Sequence, residues 1–434
     1  MIEIPNLIIN LDTWGWDKSG GKSNNVWGQV PFPEEIIDIA NKAKARSIKF
    51  SRFIGKDQKI KPSIWTAYDP ILYADNEPIT KEDLPATISA TFKSCYSNYT
   101  AIIENMCMRI AYALDLPTSY NYIVKFDPNE YPKIVSNYPS MSTKSKLSRL
   151  GVVSIDFLQT SKGETKRDAY EEEDEFGNVR KVDVIDDVVG DELKPFDDIV
   201  TKVIGHNRLS GDQNLIENWV AAVDRYVQDE MKDLPRERVN KILHDVHSRI
   251  ARSFLLKEYC GDCDNTSYNS TTVLNRANRT LRYGPNHDFG DGFNKLLKTK
   301  ILKEPQIPLD QMGTLPEAIK QKMLIRWEEE MKESVADVAR QFAVKEASER
   351  NFFYILEHFP DSAQEFFESI DRCVRNKTFD KIVNSYLKMT CDGEPIMTRA
   401  EAAIFKEYLA ERSTWMTEMY VDYLQAHSRP VPLP

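Results

Sequence analysis

One break in helical pattern constrains this chain more than any other feature. From Arg236 to Tyr259 apolar residues recur at helical spacing, with Val239, Ile242, Leu243, Val246, Ile250 and Phe254 in register. At Cys260 the pattern stops, and small polar residues take over through the stretch 260–294. It begins Cys260-Gly-Asp-Cys-Asp264-Asn-Thr-Ser-Tyr-Asn269. Two short runs follow, Ser270 to Leu274 and Thr280 to Tyr283, around the polar turn Asn275 to Arg279, which predicts a β-hairpin. The stretch then reads Gly284-Pro-Asn-His-Asp288-Phe-Gly290. A long helix thus leads into a loop with Asp264 and Asn269, and a hairpin returns the chain to a second loop with Asp288.

That order suits phosphoryl transfer. One Asp accepts the proton of an acceptor hydroxyl, while an Asn five residues on and a later Asp hold the Mg²⁺ ions that neutralise a nucleotide's phosphates. A loop lets side chains five apart converge, and the hairpin brings the second Asp back to the same edge. Asp-x4-Asn alone arises often by chance. Joined to the long helix, the hairpin and an Asp-Phe-Gly 24 residues after Asp264, it is far more specific. The plain alternative is a polar hairpin loop with Asn and Asp as turn residues.

The rest of the chain divides in character. Residues 34–45 carry apolar positions at helical spacing, and Arg46 to Phe53 alternates as a strand does. Ile102 to Leu114 predicts a helix ending before Pro117. Tyr120 to Phe126 and Gly151 to Leu158 predict strands, the second so continuously apolar that both its faces should be buried. Between Glu164 and Asp198, 14 acids stand against 5 Lys or Arg, which predicts a solvated, partly disordered insertion rather than a docking segment. From Asn214 the pattern is mostly helical: Leu215 to Met231, the long helix already described, and at least four helices after Asn294. Two of these open with capping-box patterns, Thr314-x-x-Glu317 and Thr398-x-x-Glu401.

Composition narrows the function classes. With 434 residues and 41% hydrophobic content the chain suits two lobes of ordinary size. No apolar run approaches the ~18 residues of a membrane span. No secretory signal is visible at Met1-Ile-Glu-Ile-Pro, and six cysteines are not a disulfide framework. Net charge is −10 without a basic cluster, so nucleic-acid binding is not expected. These features predict a soluble cytoplasmic protein, with a translocated effector role left open.

Ordinary eukaryotic-type kinases place His-Arg before the catalytic Asp, where this chain has Asp262-Cys263. The pattern resembles the HipA-like and CtkA-like bacterial protein kinases. There a helix leads into an Asp-x4-Asn loop, a hairpin follows, and a metal Asp sits in a Pro-x-x-Asp segment, as in Pro285-Asn-His-Asp288. Ala101 to Pro117 resembles the family's small-lobe helix, with Glu104 as its acid, and Gly151 to Leu158 its buried strand running into the hinge. The match spans residues 45–300.

The resemblance implies an α+β, two-lobed, protein-kinase-like fold. Residues 1–158 would form a strand-rich nucleotide-binding N-lobe with one helix. Residues 159–434 would form a mainly helical C-lobe with the catalytic loop at 260–294. It implies an ATP- and Mg²⁺-dependent serine/threonine kinase acting on a protein substrate, this chain itself included. Asp264 would be catalytic, Asn269 and Asp288 metal ligands, Lys49 the phosphate lysine with Glu104 as its partner, and Asp156 and Phe157 the hinge beside the nucleotide. Lys49 stands in Ser47-Ile-Lys-Phe-Ser, similar to the family's aliphatic-Lys-Phe motif; Lys61 and Lys93 remain open for the same role. A degenerate kinase-like scaffold that binds nucleotide or a protein, and a small-molecule kinase on the same fold, are the alternatives.

Two further motifs point elsewhere. Gly15-Trp-Asp-Lys-Ser-Gly-Gly21-Lys22-Ser23 nearly spells a Walker A loop, but five residues separate the outer glycines where four are needed, leaving a flap over ATP or a plain surface loop. Cys260-Gly-Asp-Cys263 lacks a second pair or a nearby His, so it cannot complete a zinc site and is expected to be buried.

Overall fold

The computed structural model describes residues 1–7, 10–16, 25–31, 49–54, 60–65, 87–94, 98–116, 118–126, 150–155, 168–173, 179–184, 191–196, 199–200, 215–264, 270–275, 279–284, 286, 288–303 and 315–427. The predicted helix at 34–45 lies outside them. Strands dominate the first half: β1 (Ile2–Glu3), β2 (Asn10–Trp16), β3 (Asn25–Pro31), β4 (Lys49–Ile54), β5 (Ile60–Trp65) and β6 (Thr87–Ser94). Helix α1 (Asn98–Ala113) follows, then β7 (Asn121–Lys125) and β8 (Leu150–Ile155). Strands β9 (Asp168–Glu173), β10 (Val179–Val184) and β11 (Asp191–Pro195) complete that half. The second half opens with α2 (Ile216–Glu230) and α3 (Arg236–Tyr259), then the hairpin β12 (Thr271–Asn275) and β13 (Thr280–Tyr283). Next come α4 (Asn294–Leu297), α5 (Lys300–Lys303), α6 (Glu317–Ala339), α7 (Lys345–His358), α8 (Pro360–Arg375) and α9 (Thr378–Tyr386). The chain ends with β14 (Met389–Cys391), β15 (Glu394–Pro395) and α10 (Arg399–Ala426). The fold is mixed α+β, rich in helix, with small sheets.

The largest sheet is antiparallel in the order β2-β3-β6-β8-β7, so β6 lies at its centre. Side chains alternate across a strand, and β8 uses both faces. Leu150 and Val152 join the main core with α1, while Val153 and Ile155 join a smaller cluster with Ala90 and Phe92 of β6. That explains the nearly continuous apolar pattern of β8, broken at Ser154. It also orients β6: with Phe92 in the smaller cluster, Lys93 faces the side on which α1 packs.

The main core runs from Ile4 through α1, α2 and α3 to α10. Every residue of α3 from Ile250 to Tyr259 is buried, so its charged members must find partners inside the protein. At the far ends of the chain β1 pairs in parallel with β14. No helix among the described residues is long and apolar enough to cross a membrane.

Within the acid-rich segment the described residues include strands: β9 and β10 form an antiparallel hairpin whose register sets Glu172 opposite Arg180 and Glu171 opposite Lys181, and β11 joins β12. Thr314 of the first capping-box pattern lies outside the described residues; α6 itself has Pro316 at its cap position and Glu317 as its first helical residue. The Thr398 box does form, with reciprocal bonds to Glu401 of 2.6 and 3.2 Å.

Candidate functional site

The site begins where α3 ends. Cys260 closes the helix and Gly261 follows at φ 63°, the left-handed position that glycine reaches without strain. The Gly261 amide donates to the Glu258 carbonyl and the Asp262 amide to the Lys257 carbonyl, both at 2.9 Å, which is a Schellman turn. Such a turn brings the residues equivalent to 257 and 262 together, usually as an apolar contact. Here they are an ion pair, Lys257 Nζ to Asp262 Oδ2 at 3.3 Å, with both side chains buried. Asp262 Oδ1 also accepts the Asp264 amide at 2.9 Å, which fixes the start of the Asp264 loop.

The hairpin then carries the chain to Asp288 as predicted, with Leu274 opposite Leu281. The second loop is tied to the first: the Phe293 amide donates to the Cys260 carbonyl at 2.7 Å. Lys257 reaches it too, with Nζ 3.5 Å from the Asp288 carbonyl and 5.4 Å from the Phe289 ring centroid, within cation–π range. Burial draws the Lys257 ammonium pKa down, but Asp262 and Asp288 outweigh it and the net shift is upward.

The third component comes from β6 and α1. Lys93 Nζ donates to Glu104 Oε2 at 3.1 Å and to Asp288 Oδ1. The other oxygen, Glu104 Oε1, accepts the Phe289 amide at 3.1 Å. Burial pushes the Glu104 carboxyl pKa upward, against the pull of Lys93. Gly290 leaves room for this knot, since a Cβ there would stand 3.1 Å from Lys93 Nζ. Asp288 itself stays 39% exposed while Glu104 is 4% exposed, so the aspartate is the member that meets solvent. A lysine held by a glutamate, with an aspartate beside it open to solvent, can bind phosphate oxygens and a phosphate-bound cation.

Of the residues named from sequence, the structure brings Glu104 and Asp288 together and sets half-buried Asp264 at the neighbouring loop. Asn269, Asp156 and Phe157 lie outside the described residues. The partner of Glu104 is corrected. Lys49 opens β4, which among the described residues pairs with β5 in a two-stranded sheet whose register sets Phe53 opposite Lys61. Lys93, on the central strand of the main sheet, holds Glu104 instead. Its signal was the strand Thr87 to Ser94, where Ile88, Ala90 and Phe92 alternate with Thr87, Ser89, Thr91 and Lys93.

Sequence reasoning missed Lys257 and Asp262 altogether. The one available signal was a pair of charges, Lys257-Glu258, inside an otherwise apolar helix end. Of the C-x-x-C pair Cys260 is buried and Cys263 half-buried, and burial raises the Cys263 thiol pKa. Gly15 and Trp16 end β2, and the near-Walker segment leads into β3 rather than a helix. A cavity of about 30 Å³ behind the loop, lined in part by Lys257, Asp262, Cys263 and Asn351, has room for about two waters and none for a nucleotide.

No family model and no curated protein matches the chain. Among solved structures it is similar to the Helicobacter pylori proinflammatory kinase CtkA, at 12% identity and a TM-score of 0.41, over 86% of this chain and 97% of that one. It is also similar to a chain of the Shewanella oneidensis MR-1 toxin–antitoxin complex of HipA, HipB and operator DNA, at 10% identity and a TM-score of 0.33, over 93% of this chain and 74% of that one.

Proposed function

We propose that this chain is a phosphotransferase of protein-kinase type, using ATP with Mg²⁺ to phosphorylate serine or threonine hydroxyls of a protein, itself included. The observation that supports it is the knot of Lys93, Glu104 and Asp288. A strand lysine, a helix glutamate and the aspartate of Asp-Phe-Gly, 195 residues from the lysine, meet as nucleotide phosphates require. The N-lobe would be residues 1–158 and the C-lobe 159–434, with the site between them.

Each residue then has a task. Lys93 binds the α- and β-phosphates, and Glu104 keeps the lysine aimed. Asp288 and Asn269 offer oxygen ligands to the cation. Asp264 orients the acceptor hydroxyl and takes its proton. With Asp288 and Asn269 as its protein ligands the cation would share its shell with the nucleotide, as Mg²⁺ commonly does. Bound Mg²⁺·ATP would supply the phosphoryl group and its charge neutralisation.

The test is incubation with labelled ATP and Mg²⁺, followed by mass-spectrometric mapping. Label on Ser or Thr of the chain supports the proposal. Nucleotide binding without transfer would instead favour a kinase-like scaffold, and a soluble phosphorylated product a small-molecule kinase.

A further inference from the structure

We infer that Lys257 and Asp262 are a positioning pair for Asp288: with Glu104, they clamp the peptide between Asp288 and Phe289 from both ends. The effect on rate rests on the phosphotransfer reading, whereas the clamp stands on geometry alone.

The Asp288 carbonyl and the Phe289 N–H belong to one planar peptide. Its N–H donates to the Glu104 carboxylate at 3.1 Å, and its carbonyl accepts from the Lys257 ammonium at 3.5 Å. An acid meets the positive end of the peptide dipole and a base the negative end. Turning this peptide over would set its carbonyl against Glu104 and its N–H against Lys257, so both charges oppose the flip. The hold is needed, because Asp288 sits at φ 56°, a conformation that a non-glycine residue keeps only when its surroundings impose it.

Lys257 cannot drift from this task. The Schellman turn fixes Asp262 against it, and the Phe289 ring lies against its ammonium. Asp262 in turn holds the Asp264 amide. One buried pair therefore sets the backbone of both loops, the one with Asp264 and the one with Asp288. A buried ion pair adds little net stability over apolar residues of the same size, so orientation is its stronger justification.

Lys257→Met alone would leave Asp262 buried without a cation and endanger the fold. The working variant is Lys257→Met with Asp262→Asn, which removes both charges and keeps an oxygen for the Asp264 amide. Asp262→Asn alone is the second variant, expected to act in the same direction but less. The first readout needs no ligand. Hydrogen exchange across 284–293 should run at least tenfold faster in the double variant, with α10 unchanged. The second uses Mg²⁺·ATP: kcat should fall tenfold or more and half-maximal rate should need more Mg²⁺, with KM for the acceptor unchanged. Wild-type exchange at 284–293 in both variants would overturn the clamp. Faster exchange with unaltered kcat and Mg²⁺ requirement would overturn its role in transfer. If the wild type transfers no phosphate at all, the phosphotransfer reading fails, and exchange still decides the clamp.

Discussion

Replacing Asp264 by Asn keeps its size and hydrogen bonding but removes the carboxylate that can take a proton. Transfer should fall by roughly 10²–10⁴ while affinity for Mg²⁺·ATP stays near wild type, as expected of a group that acts mainly in the transition state. Rate and affinity measured on one preparation check both halves. Lys93 acts on the phosphates themselves, so Lys93→Met should lower transfer by about 10²–10³, the loss typical of one charge-stabilising donor, while Lys49→Met leaves it unchanged. Loss in Lys49→Met with full transfer in Lys93→Met would return the role to the β4 lysine. At this scale the sequence was most legible in the order of the loops, with Asp264 just after α3 and Asp288 just after the hairpin, and least where a residue's surroundings depend on which strand lies central. Lys93 is indistinguishable from a solvated strand lysine until β6 is seen between β3 and β8.

Among elements, α3 and α10 are joined by a contact that no local pattern discloses. Arg412, its side chain wholly buried, donates to the carbonyls of Ala339, Gln341 and Glu258 and to the Glu258 carboxylate. It thereby holds the last turn of α3, from which the Asp264 loop departs. Arg412→Met should destabilise the protein by ~3–5 kcal/mol in denaturant unfolding, because it leaves Glu258 buried without its cation. Adding Glu258→Gln should recover part of that loss. The long helices were readable because their apolar stripes repeat, and α3 begins and ends where its pattern does. Helix starts were less so: Thr398 caps α10 as its sequence says, whereas α6 starts at Glu317 behind Pro316, a start that its capping-box pattern does not announce.

Across the whole molecule, strands first and helices after was plain from periodicity, yet the pairing of β1 with β14 was not, since a two-residue strand has no pattern to read. Glu3 secures that pairing. Lys125, then Thr390 and the Asp392 amide, lower its carboxyl pKa from 4.5 to about 2. A carboxyl lowered by folding stabilises the folded state above its ordinary pKa and loses that contribution as pH falls. The Ile4 amide, which donates to Thr390, should therefore lose protection relative to its intrinsic exchange rate between about pH 4.5 and pH 2. In Glu3→Gln that protection should not vary with pH. Hydrogen exchange at Ile4 in the two proteins decides it.

The same pairing sets an order on synthesis. A ribosome adding ~5–20 residues per second releases Ile2 and Glu3 roughly 20–80 seconds before Met389 to Cys391 exist. During that interval β2, β3, β6, β7 and β8 all become available, so the main sheet can close while β1 still lacks its partner. The Ile4 amide, which donates to the Thr390 carbonyl, waits as long for its partner. Residues made early are thus among the last to be fixed.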